Sequence, residues 1–151
     1  MVHCDGEERR VADEYEETRP LGTLLRVLIA GIGGGLVFVA LLGYRTDYAG
    51  HFLAGFGGTL GLLAFPLATL SPALRWEPFG TAIVAILIGA AIEATVFKIA
   101  IFDPVDFFNQ SLGAALAAVS VQGRPASLIA AFGSGLLALV FLTVGAALAF
   151  A

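Results

Sequence analysis

The amino-acid sequence predicts an all-α, polytopic membrane protein, a bundle of about five transmembrane helices with its N-terminus inside. Of the 151 residues, 58% are hydrophobic and only 13% are charged, and the mean hydropathy is +0.91. Soluble domains carry about 25% charged residues, so this chain is too apolar to face water on all sides. Its apolar residues are also gathered into long segments, as a hydrocarbon core roughly 30 Å thick requires.

Five apolar segments follow one another, and polar or proline-containing stretches separate them. Most are long enough for the roughly 20 residues that a helix needs to cross the hydrocarbon core. The fourth segment is short, and we expect it to tilt little or to be shielded by its neighbours. The segments cover approximately residues 21–43, 47–70, 79–102, 106–121 and 125–150.

The first 20 residues differ in character from the rest of the chain. They hold seven of its twelve acidic residues and three of its eight basic residues, and they lack an apolar helical face. We therefore predict a mostly disordered, solvated tail over residues 1–20 and a transmembrane helical domain over residues 21–151. Six of the eight Lys and Arg residues fall on the side of the N-terminus. This bias predicts a cytoplasmic tail on a multi-pass protein of the cell membrane.

Charge and cysteine content exclude two classes of interaction. The formal net charge is −4 and no cluster of basic residues is present, so we expect no nucleic-acid partner. Cys4 is the only cysteine, so one chain cannot form a disulfide within itself. The expected partners are the lipid bilayer and a bound lipid or cation, and an oligomer stays an open alternative.

Glycines at helical spacing predict close contacts between helices. Gly31 and Gly35 form one pair of small residues four apart, and Gly57 and Gly61 form another. Two helices approach closely where side chains are missing, and the resulting van der Waals contact is a main attraction between helices in lipid. We expect both pairs to lie at helix–helix contacts.

Polar residues interrupt the apolar pattern near one predicted membrane face. Asp47 and His51 lie four residues apart at the start of the second segment, so both face one side of a helix. Glu93 lies late in the third segment, where an ionised carboxylate costs about 2.5–3.5 kcal/mol. The fourth segment then opens with further carboxylate and amide side chains. The predicted ligand-binding residues are Asp47, His51, Glu93, Asp106, Asn109 and Gln110.

Each of these residues also has a purely structural explanation. Asp47 and Asp106 could cap the helices that they open, because a carboxylate accepts hydrogen bonds from the free backbone N–H groups there. His51 could be an interfacial histidine. Glu93 could carry a proton and tie two helices together by a hydrogen bond.

The order of these residues resembles the VanZ-like family of small integral membrane proteins. The family pattern has an Asp and a His four apart opening one helix, a Glu late in the next, and an Asp and an amide followed by Gly-Ala opening another. Over about residues 44–118 of this chain, the pattern is matched by Asp47 and His51, by Glu93, and by Asp106 with Gly113 and Ala114.

The chain departs from the family pattern at several positions. Tyr48 stands where the family usually has a Lys, and Val96 stands where it often has a Gln. The family's Asn lies four residues after the Asp, where this chain has Gln110. The resemblance implies a small helical membrane protein with a polar site that faces outward. Some members are associated with resistance to a glycopeptide antibiotic.

The first functional hypothesis is a binding protein without enzymatic activity. Asp47, His51, Glu93 and Asp106 would form a cleft in the outer leaflet that binds a lipid head group, a cation or a partner. An excess of carboxylates favours cations or hydroxyl-rich ligands over phosphates. No strong catalytic motif is present in the sequence, which supports this hypothesis.

The alternatives are a membrane enzyme and a proton-coupled transporter. In a hydrolase or transferase acting on a lipid-linked substrate, His51 would be the general base, oriented by Asp47, and Glu93 the proton donor. In a metal-assisted version, Asp47, His51, Glu93 and Asp106 would hold a divalent metal that activates water, although no cofactor is firmly implied. In a transporter, Glu93 would be the titrating group.

Overall fold

The structure, a computed structural model, is all-helical over the residues that it describes, which are 5–42, 45–69, 77–95, 103–123 and 128–149. Each of the five predicted apolar segments contains one helix. The predicted extension of the third segment over residues 96–102 lies outside the described residues. The helices are α1 (Asp5–Leu41), α2 (Thr46–Thr69), α3 (Pro78–Thr95), α4 (Pro104–Val121) and α5 (Leu128–Ala149).

Three helices in the described residues are long and apolar enough to cross a membrane. They are α3, α5 and the part of α1 from Pro20 to Leu41. Most of their residues lie on the outside of the bundle, where large apolar side chains such as Leu36, Leu87 and Leu139 are more than 60% exposed. Such surfaces are unfavourable in water, so these three helices indicate a membrane protein.

The N-terminus differs from the prediction of a mostly disordered tail over residues 1–20. α1 begins at Asp5 and continues without a break into the apolar segment, and residues 1–4 lie outside the described residues. The stretch is rich in Glu and Arg, which favour helix. Extending an existing helix is also far less costly than starting a new one. The division into a tail and a transmembrane domain stays a prediction.

α2 is the central helix and packs against each of the other four. Its side chains Phe56 and Leu60 are fully buried, together with Val27 of α1. The ring of Phe56 meets the ring of Phe141 in α5 edge to face, with centroids 5.1 Å apart. Because neighbours surround α2, it does not need the continuous apolar surface of a helix that faces lipid. This shielding explains how α2 accommodates many glycines and several polar residues.

Both predicted glycine pairs lie at helix–helix contacts. A Cβ on Gly31 of α1 would overlap the ring of Phe141, and one on Gly35 would meet Leu53 of α2 at 3.4 Å. Gly57 and Gly61 both face Ala138 of α5. The prediction that these glycines allow close approach of helices is confirmed.

Successive helices run in opposite directions. Gly50 of α2 lies against Ala149 of α5, and Ala64 lies against Gly135, so α2 and α5 are antiparallel. α2 and α4 are parallel, because His51 and then Gly55 of α2 lie beside Asp106 and then Gln110 of α4. This alternation brings the starts of α2 and α4 to the same end of the bundle as the ends of α3 and α5. We call it the polar end, because His51, Glu93, Asp106 and Gln110 lie there.

Candidate functional site

The side chains of His51 and Asp106 meet between two parallel helices. Nε2 of His51 in α2 lies 3.3 Å from Oδ2 of Asp106 in α4, and the two side chains are 25% and 22% exposed. A carboxylate only accepts hydrogen bonds, so the Nε2–H group is the donor. A neutral imidazole then keeps Nδ1 as an acceptor, and Nδ1 makes no hydrogen bond within the described residues.

Asp47 does not orient His51, although the two residues are four apart on α2. Its carboxylate instead binds Arg45 through two hydrogen bonds, from Nε to Oδ1 at 3.1 Å and from Nη2 to Oδ2 at 2.7 Å. The hydrogen bonds to Asp47 raise the pKa of Arg45, whose guanidinium also stacks over the ring of Tyr48 at 4.1 Å. A paired, charge-assisted contact of this kind is stronger than a contact with neutral imidazole. The prediction that Asp47 orients His51 is therefore wrong.

Asp103 caps α4, and Asp106 does not. Oδ1 of Asp103 accepts hydrogen bonds from the backbone nitrogens of Val105 at 2.8 Å and Asp106 at 3.4 Å. Pro104 occupies the first position of the helix, where its missing N–H group leaves no donor unsatisfied. The predicted capping role belongs to the residue before the proline, which leaves the side chain of Asp106 available for His51.

Oδ1 of Asp106 is buried and has no hydrogen-bond partner within the described residues. A buried acceptor without a donor loses the hydrogen bonds it had in water, and this loss is larger for a charged group than for a neutral one. The contact of Oδ2 with His51 is therefore the main interaction that offsets the loss of hydration of this carboxylate.

The polar end opens into a cavity of about 650 Å³ that α2, α3, α4 and α5 enclose. Its polar side chains are His51, Glu93 and Gln110, and its other lining residues are apolar or glycine. Three of the six predicted ligand-binding residues therefore meet in one cavity. A fourth, Asp106, acts on it through His51.

Asp47 and Asn109 do not line this cavity. Asn109 is only 3% exposed and lies on a different face of α4, where it borders a separate apolar pocket of about 380 Å³ beside Tyr48 and Phe108. Its Nδ2 has no partner in the part of the chain that is described. The structure thus separates two amides, Asn109 and Gln110, that are neighbours in sequence.

The cavity is a groove between α3 and α5 with α2 as its floor. Within the described residues these two helices make no contact with each other. The rims carry exposed apolar side chains, among them Ile88 and Ile92 of α3 and Leu142 of α5. The groove therefore opens sideways from the bundle along an apolar edge.

Glycines shape the floor, and our sequence interpretation did not assign them to the site. Gly55 and Gly58 lie four and seven residues after His51, so all three share one face of α2. A Cβ on Gly58 would meet no atom within 4 Å. The sequence did contain a signal for this cavity, namely the spacing of these glycines from His51. Glycines on the same helix face as a polar residue leave space next to that residue.

Two glycines from different helices leave room for Gln110. A Cβ on Gly89 of α3 would overlap the side-chain amide of Gln110, and one on Gly55 of α2 would overlap its backbone carbonyl. Gln110 thus joins α2, α3 and α4 at the polar end. Its amide makes no hydrogen bond within the described residues, so it can meet a ligand.

The four predicted metal ligands are not gathered into one site. Within the described residues, no three His, Cys, Asp or Glu side chains are placed to hold a metal ion together. Asp47 is directed to Arg45, and Glu93 makes no ion pair with His51. The chain therefore provides no fitting ligand set for a divalent metal at these residues.

In comparisons with protein-family models, curated proteins and solved structures, nothing matches this chain. The resemblance to the VanZ-like family stays a prediction from the sequence pattern. The site itself consists of an Asp–His pair beside a groove with one polar end.

Proposed function

We propose that this protein is a membrane-embedded binding protein that takes an amphipathic lipid into the groove between α3 and α5. The observation that carries the proposal is the cavity of about 650 Å³, whose polar groups lie at one end while its remaining walls are apolar. Binding sites for small molecules span about 300–1,000 Å³ and combine mainly apolar walls with a few polar groups. A membrane amphiphile has the same division between head group and chain.

In this proposal all five helices cross the membrane, with the N-terminus inside. The alternating helix directions support five crossings, and the excess of Lys and Arg on the N-terminal side supports the orientation. α2 and α4 are more polar than α3 and α5, but their neighbours shield them. The polar end of the groove then lies in the outer leaflet, where His51 and Glu93 would meet a head group.

Thiol labelling tests this topology, because Cys4 is the only native cysteine. We expect a membrane-impermeant maleimide to label Cys4 only after the cells are permeabilised. In a Cys4→Ser background, an Ala151→Cys variant should be labelled in intact cells, since five crossings place the two termini on opposite sides. Labelling of both positions from the same side would contradict five crossings, and the reverse pattern would contradict the orientation.

A Gly58→Leu substitution tests the groove, because Gly58 lines the cavity and a Cβ there would meet no atom within 4 Å. We expect the amount of lipid that co-purifies with this variant in a mild detergent to be about tenfold lower than for the wild type. Mass spectrometry of the lipid extract measures this amount. That ratio corresponds to about 1.4 kcal/mol of binding free energy.

The matched control is Gly80→Leu on α3. A Cβ there also meets nothing within 4 Å, but the position does not line the cavity. This control should keep the lipid content of the wild type, and both variants should keep its melting temperature. Equal lipid content in Gly58→Leu and Gly80→Leu would contradict the proposed groove.

The contact between His51 and Asp106 favours a second candidate, an enzyme that acts on a lipid-linked substrate. An imidazole held by a carboxylate through Nε2 keeps Nδ1 available to accept a proton. The same lipid extracts separate the two functions. Lipids recovered unchanged after incubation with wild type and with His51→Ala support binding, whereas a product that only the wild type forms supports the enzyme.

A further inference from the structure

We infer that the groove selects a cationic head group, and that its ligand is an amphiphile with an alkyl chain and a protonated amine. This inference rests on the proposed function, because it names the ligand class of the same groove. The first observation is the charge at the polar end. Glu93 is the carboxylate that lines the cavity, and no Arg or Lys among the described residues lines it.

The second observation is that Glu93 has no partner among the described residues. It makes no ion pair and no hydrogen bond with the described part of the chain. Arg45, a described cation that does not line the cavity, is already bound by Asp47. A carboxylate within a membrane protein needs a counter-ion, a proton or water, and an ammonium group in the groove supplies the counter-ion.

The third observation concerns hydrogen bonding. In a neutral imidazole whose Nε2–H meets Asp106, the available nitrogen Nδ1 is an acceptor, and the carboxylate of Glu93 also accepts. An ammonium group is purely a donor and therefore matches both. A phosphate or carboxylate head group presents acceptors to acceptors, and it would need the Arg or Lys that the described lining lacks.

The length of the groove suits an extended alkyl chain. Its α2 floor runs from His51 to Leu62, a distance of about 16 Å at the rise of an α-helix. Along that length the walls are Ala85 and Ile88 of α3 and Leu142 of α5. A chain that lies along the glycine floor keeps its amine at the end where His51 and Glu93 are found.

Three probes with the same chain test the inference: dodecylamine, dodecanol and dodecyl phosphate. Their affinities are measured by calorimetry with the purified protein in a maltoside detergent at neutral pH. We expect the wild type to bind the amine at least tenfold more tightly than the alcohol and to show no binding of the phosphate. Glu93→Gln should lower the affinity for the amine about tenfold and change the affinity for the alcohol less than twofold.

The variants of Gly58 and Gly80 separate failure of this inference from failure of the proposed function. If amine and alcohol bind equally, and Gly58→Leu abolishes both while Gly80→Leu does not, the groove is supported and the preference for a cation is overturned. If Gly58→Leu leaves amine binding unchanged, both proposals are overturned. Should Glu93→Gln fail to fold, the ratio of amine to alcohol affinity in the wild type decides.

Discussion

A Gly113→Ala substitution is expected to lower the free energy of unfolding by about 2–3 kcal/mol, at the upper end of the usual cost of overpacking a core. A Cβ on Gly113 of α4 would overlap the backbone carbonyl of Phe52 in α2, and the backbone nitrogen of Phe56 would lie only 2.9 Å away. Backbone atoms cannot rotate aside as a side chain can. The two helices would have to move apart, which would also lengthen the contact between His51 and Asp106.

Gly33→Ala on α1 is the matched control for this prediction, because a Cβ there meets nothing within 4 Å. Alanine favours helix over glycine by about 1 kcal/mol, so this variant should be as stable as the wild type or slightly more stable. Unfolding of both variants is followed by circular dichroism in mixed micelles with increasing denaturing detergent. Equal stability of Gly113→Ala and Gly33→Ala would show that α2 and α4 do not pack as described.

The second large effect is expected from His51→Leu, which removes the donor that Oδ2 of Asp106 contacts. Because Oδ1 of Asp106 already has no partner within the described residues, the whole carboxylate would be left without a hydrogen bond. We expect a loss of about 2–3 kcal/mol in the free energy of unfolding, the cost of leaving a buried polar group unsatisfied.

The double variant His51→Leu, Asp106→Leu should recover most of that loss, because replacing both partners with apolar groups removes the unsatisfied carboxylate. Asp47→Asn is the control for a general effect of charge. Its pair with Arg45 is 38–54% exposed, so its removal should change the stability by less than about 1 kcal/mol. Additive losses in the double variant would contradict the coupling of His51 with Asp106.

The helices could be predicted from the sequence because their signals are local. Apolar length and flanking polar or proline residues predict where a span begins and ends, and each predicted segment contains a helix. The glycine pairs at Gly31 and Gly57 were predictable for the same reason, since small residues four apart always share a helix face. The helical backbone from Asp5 was missed because a charged composition was interpreted as disorder.

The partners within the site could not be predicted from spacing. Asp47 lies at the right distance from His51 along α2, but only the packing of α4 against α2 brings in Asp106. The same packing decides which amide enters the cavity. Asn109 and Gln110 are about 100° apart around the helix, and the sequence does not say which face of α4 meets the groove.

Under the proposed function, the sideways opening between α3 and α5 would make the ligand concentration in the membrane the one that sets occupancy of the groove. A ligand that enters along an apolar edge first dissolves among the lipid tails and reaches the groove by diffusing in two dimensions. Occupancy would then follow the mole fraction of the amphiphile in the bilayer. Two compounds with identical fit to His51 and Glu93 would fill the groove to different extents if they partition differently into the membrane.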